Sequence, residues 1–260
     1  MPEDFELVTS SWPRYKADER GPPLIEDCAQ AHGATVDGRP VGGWGDAAAF
    51  SFCTDKIMST AGEGGMMLLV RDEAVWRRAW SYKDHGKDWD AVHRTDHPPG
   101  FRWLHHGFGT NWRMPEVQSA IGRVQLRKLP EWLARRRENA EVLLERLGAL
   151  PGLRVPRPPE GVGHAWYKFY AFVRPETLRP GWDRDAIVEA VQARGVPCWH
   201  GGCSEVYLEK AFDGTGFRPP ERLPVARRLG ETSLMFPVDH TLGRKEMEAI
   251  ATAVEAVFAQ

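Results

Sequence analysis

The stretch "GDAAAFSFCTDKIMSTAGEGGMM", residues 45–67, carries the pattern that decides the fold. Its apolar run over residues 46–53 predicts a strand, and "GGMMLLV" over residues 64–70 predicts another. Short apolar runs bounded by glycine are typical of strands buried on both faces, so we expect both strands inside a sheet. Lys56 lies between them, and a lysine close to buried strands needs either a partner or a chemical role because desolvation disfavours its charge.

The flanking sequence predicts an alternation of strands and helices. "PLIEDCAQAHGA" predicts a strand over residues 24–26 with Asp27 next, and "DEAVWRRAWSYK" predicts a helix opened by Asp72. Residues 83–110 lack a clean period and predict a long loop, which in a compact domain is often functional. Two further helices are expected on either side of Pro130, because proline interrupts a helical interior. The pattern predicts an α/β fold.

Three segments divide the 260 residues. Residues 1–22 predict an irregular N-terminal arm, and residues 23–151 predict the later part of a large cofactor-binding domain. The proline- and glycine-rich stretch "RVPRPPEGVG" predicts a boundary near residue 152, after which a small C-terminal α/β domain runs to residue 260. In its last helix, apolar residues at helical spacing predict one face packed on a sheet: Met247, Ile250, Val254 and Val257.

Composition restricts the class of function. The net charge is −2, so no overall basic field indicates nucleic-acid binding. Three adjacent arginines, Arg135, Arg136 and Arg137, fall in a glutamate-rich helix and predict a solvated face. The four cysteines form no C-x-x-C pair and indicate a reducing, cytoplasmic setting. No signal-peptide core and no apolar run long enough to cross a membrane is evident.

Three residues suggest a specific chemistry. Asp27 follows one strand and Ser51 lies at the end of another, at the sheet edge where α/β proteins bind ligands, and Lys56 comes five residues after Ser51. A partly desolvated lysine is a nucleophilic amine, and a nearby acid and hydroxyl are what pyridoxal phosphate needs for its pyridine nitrogen and its phosphate. Taken singly, Asp27 is more simply a helix cap and Lys56 a loop lysine. The "GEGG" turn alone is a weak phosphate signal.

The residue sequences of four motifs support this interpretation. In chain order they are "LIEDCAQAHGA", "GDAAAFSFCTDKIMSTAGEGGMM", "KDHGK" and "GTNWRMPEVQSAIGRVQL". Together they resemble the DegT/StrS family of pyridoxal-phosphate-dependent sugar aminotransferases, which have the aspartate aminotransferase fold (fold type I). The resemblance runs from about Pro23 to the C-terminus.

The resemblance implies roles for particular residues. Asp27 would pair with the pyridine nitrogen, Gln30 would lie against the ring or its hydroxyl, and Ser51 would bind the phosphate. Lys56 would be the catalytic lysine that forms the Schiff base. Asn111 would reach the phosphate of the neighbouring subunit's cofactor, which implies a homodimer with shared active sites.

Other positions are substrate candidates by the same resemblance. Arg113 shares the motif of Asn111, and His85 is either a substrate neighbour or a plain loop histidine. In the second domain the candidates are His164, Trp199 and His200, with core packing as the alternative for the aromatic residues. His97, His105 and His106 lie in loops, but their spacing supports no metal site.

The implied reaction moves an amino group from an amino acid such as glutamate to a keto-sugar nucleotide, for amino-sugar or surface-polysaccharide biosynthesis. Two alternatives stay open: an inactive or partner-dependent fragment of such an enzyme, and a sugar dehydratase that uses the same cofactor. Compared with the family, we expect the large domain to be incomplete. We expect it to lack the glycine-Thr/Ser phosphate loop, the aromatic residue that stacks on the ring and several strands of a mostly parallel sheet. Missing strands would leave edges and apolar faces exposed.

Overall fold

The structure is a computed structural model that describes residues 23–69, 72–94, 96, 100 and 102–259. The predicted arm at residues 1–22 lies outside the described residues. Two compact units account for the described chain: a first unit of residues 23–32 and 39–126, and a second unit of residues 33–38 and 127–259. The predicted domain boundary near residue 152 stays a prediction.

The first unit contains a three-stranded sheet in the order β1-β4-β5. In chain order, the first five strands described are β1 (Ile25–Asp27), β2 (Thr35–Val36), β3 (Arg39–Pro40), β4 (Ala47–Ser51) and β5 (Gly65–Leu69). β1 runs parallel to β4, whereas β5 runs antiparallel to β4. The predicted parallel character therefore holds for one of the two pairings. Residues 52–64 contain no crossover helix, and only an antiparallel neighbour can be reached without one.

The expectation that these strands are buried on both faces is wrong for β1 and β5. Ile25 is 69% exposed and Met67 57% exposed, and Met66 is also exposed. Within β4, by contrast, Ala48 is buried. β1 and β5 therefore present apolar side chains at the surface of the first unit.

Two helices follow the sheet in the first unit. α1 (Glu73–Lys83) begins as predicted at Asp72, whose carboxylate accepts hydrogen bonds from the backbone N–H groups of Ala74 and Val75. α2 (Trp89–His93) lies inside the stretch predicted as a loop. The Trp89 ring packs edge-on against Trp76 and Trp80, with ring centroids 4.9 Å apart in both pairs. This aromatic packing explains why a weakly periodic segment forms a helical turn.

The long helix α3 (Glu116–Gly148) is continuous, so the prediction of two helices separated at Pro130 is wrong. A proline in a helix costs roughly 3 kcal/mol through a lost hydrogen bond and steric conflict. Downstream of Pro130 the helix buries Ala140, Leu143, Leu144 and Leu147. Burial of these side chains offsets the local cost.

The second unit is a four-stranded antiparallel sheet, in the order β6-β8-β10-β9, with helices packed on it. Its elements are β6 (Leu153–Arg154), β7 (Val162–Gly163), β8 (Phe169–Val173), α4 (Arg184–Gln192), β9 (Trp199–His200), α5 (Pro224–Thr232), β10 (Ser233–Phe236) and α6 (Arg244–Phe258), with 3-10 turns at Pro175–Thr177, Val206–Leu208 and Lys210–Phe212. β2 pairs with β7. The predicted inner face of α6 is confirmed, since all four of its named residues are buried.

The prediction that the three adjacent arginines form a solvated face is wrong for Arg136. Its side chain is 1% exposed, whereas Arg135 and Arg137 on either side are exposed. The guanidinium donates to the carbonyl oxygens of Trp166 and Tyr167 and to the Asp239 carboxylate. Burial lowers the pKa of Arg136, and Asp239 opposes that shift. A charge pattern alone does not reveal which of three adjacent arginines faces the core.

Candidate active site

Two adjacent acids at the end of β1 have different surroundings. The buried Glu26 carboxylate accepts three backbone hydrogen bonds, each 2.7 Å long, from Gly42, Trp44 and Gly45. Asp27 is exposed, and one of its oxygens accepts a 3.0 Å bond from the N–H of Ala29. Glu26 is therefore a structural anchor, and Asp27 is the acid that a ligand can reach.

Asp27 and Ser51 stand at the same edge of the sheet. Parallel pairing sets Asp27 opposite Ala49, two residues before Ser51. The Ser51 hydroxyl oxygen accepts a 3.3 Å hydrogen bond from the N–H of Cys53. Its hydroxyl proton is left to donate to a ligand acceptor. Gln30 is exposed in the turn that follows β1.

Lys56 lies in the connection between β4 and β5. Its side chain is 16% exposed, and its Nζ lies 3.4 Å from a carboxylate oxygen of Asp55. The next two residues, Ile57 and Met58, are buried and anchor this connection. The largely buried Lys56 side chain is thus held on a connection that its neighbours anchor.

Two glutamines of α3 hold the same connection from its other side. Gln125 accepts a 2.7 Å bond from the N–H of Ser59, and Gln118 donates a 3.0 Å bond to the carbonyl of Glu63. Both contacts lie within the first unit. They restrict the connection that carries Lys56 and help to fix the position of its amine.

His32 is a neighbour of this group that the sequence reading missed. It is 4% exposed, and its ring lies 5.5 Å from the Phe50 ring and 5.8 Å from the Phe52 ring. Burial lowers its pKa; the Ser51 backbone opposes this shift, and the charge of Lys56 adds to it. Neither ring nitrogen meets hydrogen-bond geometry within the described part of the chain. The available signal was a histidine in "AQAHGA", a run that otherwise consists of alanine, glycine and Gln30.

A second cluster joins three of the predicted residues. Arg113 donates through Nε to Oδ1 of Asn111 at 3.0 Å, and its Nη2 lies 3.2 Å from Nε2 of His85. Asp84 forms a β-bridge with Asn111, and the N–H of Trp112 donates to the carbonyl of Lys83. The segments "KDHGK" and "GTNWR", distant in sequence, thus form one small ordered structure.

Asp84 is the buried carboxylate of this cluster and has three cationic neighbours. Its side chain is buried, with Lys87 Nζ at 3.1 Å, Arg113 Nε at 3.6 Å and Lys83 Nζ at 3.9 Å. Burial by itself raises the pKa of Asp84, but the hydrogen bond and charge of Lys87 and the charges of the other two cations lower it overall. The carboxylate is therefore ionised and neutralises part of the local positive charge.

Two glycines permit the two segments of this cluster to approach. Gly86 has φ +81°, and a Cβ there would lie 1.9 Å from the carbonyl oxygen of Gly107. A Cβ on Gly109 would lie 2.4 Å from the backbone nitrogen of Gly86. Real atoms cannot approach so closely, so both positions require glycine.

The substrate candidates of the second unit lie on separate segments. His164 follows β7, and its Nδ1 accepts a 3.1 Å bond from the N–H of Trp166. Trp199 and His200 form β9, pair with β10 and are both exposed. Exposure of Trp199 argues against the core-packing alternative for that residue.

The described residues contain no group of three or more potential metal ligands. His97 lies outside them, His105 forms a β-bridge with Lys87, and His106 lies 3.7 Å from Asp88. All four cysteines are free thiols. No helix among the described residues has both the length and the apolar character needed to cross a bilayer.

Comparison with protein families gives a match over nearly the whole chain. The model of the DegT/DnrJ/EryC1/StrS aminotransferase family matches residues 12–255. Among curated proteins, the chain is 31% identical over 243 residues to the erythromycin biosynthesis sensory transduction protein EryC1 of Saccharopolyspora erythraea, covering 94% of this chain and 60% of that protein. It is also 31% identical to the dTDP-3-amino-3,4,6-trideoxy-alpha-D-glucose transaminase of Streptomyces venezuelae, over 93% of this chain and 58% of that enzyme.

Comparison with solved structures agrees with the family match. An aminotransferase from Psychrobacter cryohalolentis is 52% identical, with a TM-score of 0.89, covering 94% of this chain and 63% of that one. DesV of S. venezuelae, solved with a ketimine intermediate, is 29% identical with a TM-score of 0.78, covering 94% of this chain and 60% of that one. The chain thus spans about 60% of the length of the relatives that it matches.

Proposed function

Because the chain belongs to the DegT/DnrJ/EryC1/StrS aminotransferase family, we propose that it acts in pyridoxal 5'-phosphate-dependent transamination of a keto-sugar nucleotide. The amino group comes from an amino acid such as glutamate. The observation that carries the proposal is the set of three reactive groups in the first unit: the exposed Asp27 carboxylate, the Ser51 hydroxyl and the amine of the largely buried Lys56 side chain.

These residues fit the cofactor in their chemistry. Asp27, with one oxygen engaged by Ala29 and its side chain exposed, can accept a hydrogen bond from a protonated pyridine nitrogen. Ser51 can donate its hydroxyl proton to a phosphate oxygen, and Gln30 is exposed in the turn, three residues beyond Asp27. Bound pyridoxal phosphate supplies an electron sink and carries the amino group between the two substrates.

The chain's own part in the reaction is to position groups and to move protons. Lys56 Nζ would hold the cofactor and, once released as a free amine, would act as the general base and acid of the reaction. The α3 glutamines and the buried Ile57 and Met58 keep this amine in place. The neutral, buried His32 avoids a second positive charge beside Lys56.

Further parts of the proposal concern partners and setting. The large domain is of fold type I, and the protein is cytoplasmic. It forms a homodimer in which Asn111 completes the phosphate site of the neighbouring subunit. His85 and Arg113 of the first unit are candidate substrate contacts, and so, taken separately, are His164, Trp199 and His200 of the second unit. The product is an amino sugar for a surface polysaccharide or a glycosylated metabolite; the name of the S. venezuelae relative, an amino-sugar transaminase, supports the amino sugar. Light scattering tests the dimer.

Borohydride trapping tests the central proposal. The purified chain is incubated with pyridoxal phosphate, reduced with borohydride, digested and examined by peptide mass spectrometry. We expect a pyridoxyl-phosphate adduct on Lys56, loss of the near-visible absorbance band in Lys56→Ala, and no effect of Lys245→Ala, which removes an exposed lysine of α6. A folded wild-type chain without label on Lys56 would refute the proposal.

The exposed strands support a second candidate, a chain that needs another polypeptide to complete its cofactor site. Ile25, Met66 and Met67 offer an apolar surface on β1 and β5. In that case the purified chain stays colourless with pyridoxal phosphate and gains the absorbance band when a longer version of the chain is used. Formation of glutamate-dependent amine on a keto sugar separates transamination from the dehydratase alternative.

A further inference from the structure

Arg113 contacts two residues that could each present either a donor or an acceptor to a ligand. Its Nε donates to Oδ1 of Asn111 at 3.0 Å, and its Nη2 lies 3.2 Å from Nε2 of His85. A guanidinium has five N–H donors and no acceptor, and it keeps its charge at all ordinary pH values. Any atom that hydrogen bonds to Arg113 must therefore be an acceptor.

Because Arg113 can only donate, its contacts determine the orientation of the Asn111 amide and the tautomer of the His85 ring. The Asn111 amide must turn its oxygen toward Arg113, so the NH₂ group with its two donors is the part left for a ligand. His85 must be uncharged with its lone pair on Nε2, so Nδ1 carries the proton. Arg113 thereby converts two ambiguous side chains into hydrogen-bond donors.

The backbone around these side chains is held firmly. His85 has φ +61°, a conformation uncommon for residues other than glycine, and its N–H donates to the carbonyl of Thr110 at 2.8 Å. Asp84 lies under Arg113 at 3.6 Å and has Lys87 and Lys83 as its other cations. Three cations and one carboxylate leave the cluster positive, which favours an anionic ligand.

We propose that Arg113 is a positioning residue that orients the Asn111 amide and sets the His85 tautomer, so that the cluster presents only donors to a phosphate group. The identity of this phosphate as that of pyridoxal phosphate rests on the function proposed above. The orientation of Asn111 and the tautomer of His85 do not, because they follow from contacts within the chain.

The tautomer can be measured without any cofactor. Long-range ¹H–¹⁵N spectra of the full apo chain identify the protonated ring nitrogen of each histidine, and His85→Gln assigns the His85 signals. We expect Nδ1 to be protonated in the wild type and Nε2 in Arg113→Gln. Arg157→Lys, a change at an exposed arginine paired with Glu141, should leave the spectrum of His85 unchanged. A wild-type His85 protonated on Nε2, or one that Arg113→Gln does not alter, would overturn the proposal.

A double-mutant cycle tests whether Arg113 acts through Asn111. Arg113→Lys keeps the charge but loses the planar fork, so it should weaken binding of pyridoxal phosphate by roughly tenfold, the cost of one hydrogen bond to a charged group. Binding of pyridoxal, which lacks the phosphate, should not change. In an Asn111→Ala background the same substitution should have no further effect.

The outcomes distinguish the positioning role of Arg113 from the cofactor-dependent function proposed above. If the effects of Arg113→Lys and Asn111→Ala multiply, Arg113 contacts the phosphate itself and the positioning role is wrong. If the predicted tautomer is found but neither substitution alters binding of pyridoxal phosphate, the positioning role stands and the phosphate role of Asn111 fails. If the wild type binds no pyridoxal phosphate, the proposed function fails, and the tautomer alone decides the role of Arg113.

Discussion

The two units of the chain differ in where their apolar side chains lie. In the second unit, side chains from α3, β8, β10, α4 and α6 form one buried core that includes Leu143, Phe169 and Val254. In the first unit, apolar residues of β1 and β5 are exposed, and hydrogen bonds of Glu26, Gln118 and Gln125 hold connections and strand ends. The residues proposed for cofactor chemistry lie in the first unit, whereas the large apolar core of the chain lies in the second.

The largest effect should come from a core substitution in the second unit. Phe169 is fully buried in β8, and Phe169→Ala should lower the free energy of unfolding by about 3–5 kcal/mol through lost transfer energy and a cavity. Met67→Ser on exposed β5 should change it by less than about 0.5 kcal/mol. Urea unfolding followed by circular dichroism measures both. A large loss for Met67→Ser would mean that the apolar face of the first unit is covered in solution.

A smaller effect should separate the three adjacent arginines. Arg136→Ala leaves the Asp239 carboxylate and two buried carbonyl groups without their donor, and should cost about 2–3 kcal/mol. The value lies below that of a fully buried pair because Asp239 is partly exposed. Arg137→Ala, the neighbouring exposed residue, is the matched control and should cost less than about 0.5 kcal/mol in the same urea titration. Equal costs at the two positions would contradict the burial of Arg136.

The smallest effect should be a pH dependence confined to the first unit. Because the pKa of His32 is lower in the folded chain than its usual value near 6.5, the unfolded chain binds the proton more readily. The stabilising contribution of neutral His32 is complete above about pH 6.5 and is lost as the pH falls toward its lower, folded-state pKa.

Hydrogen exchange at the amides of residues 50–56 between pH 7 and pH 5 measures this dependence. His32→Phe keeps a ring between Phe50 and Phe52 but cannot take up a proton, so its exchange should show a flatter profile after correction for intrinsic rates. An identical profile in both proteins would show that His32 does not titrate between these limits.

Local signals predicted the elements that carry the proposed chemistry. The order of β1, β4 and β5, the Asp72 cap of α1 and the inner face of α6 all follow from short-range patterns, since capping and helical spacing depend on neighbouring residues. The motifs around Asp27, Lys56 and Asn111 likewise pointed to the family whose model matches the chain.

What could not be predicted depends on long-range packing. Pro130 was expected to divide a helix, but residues far beyond it bury enough surface to keep α3 continuous. The burial of Arg136 depends on carbonyls some thirty residues away and on Asp239 about a hundred residues away. The short helix α2 and the buried His32 depend on aromatic neighbours that sequence spacing does not bring together.

The close approach of Gly86 and Gly109 has a genetic consequence. Every amino-acid substitution at either position adds at least one carbon atom where the opposing backbone leaves no space. The added atom would displace the segment that carries Asn111 and Arg113. In a saturation screen read out by growth, these two glycines would therefore be as intolerant of replacement as residues that touch a ligand, although neither has a side chain to offer one.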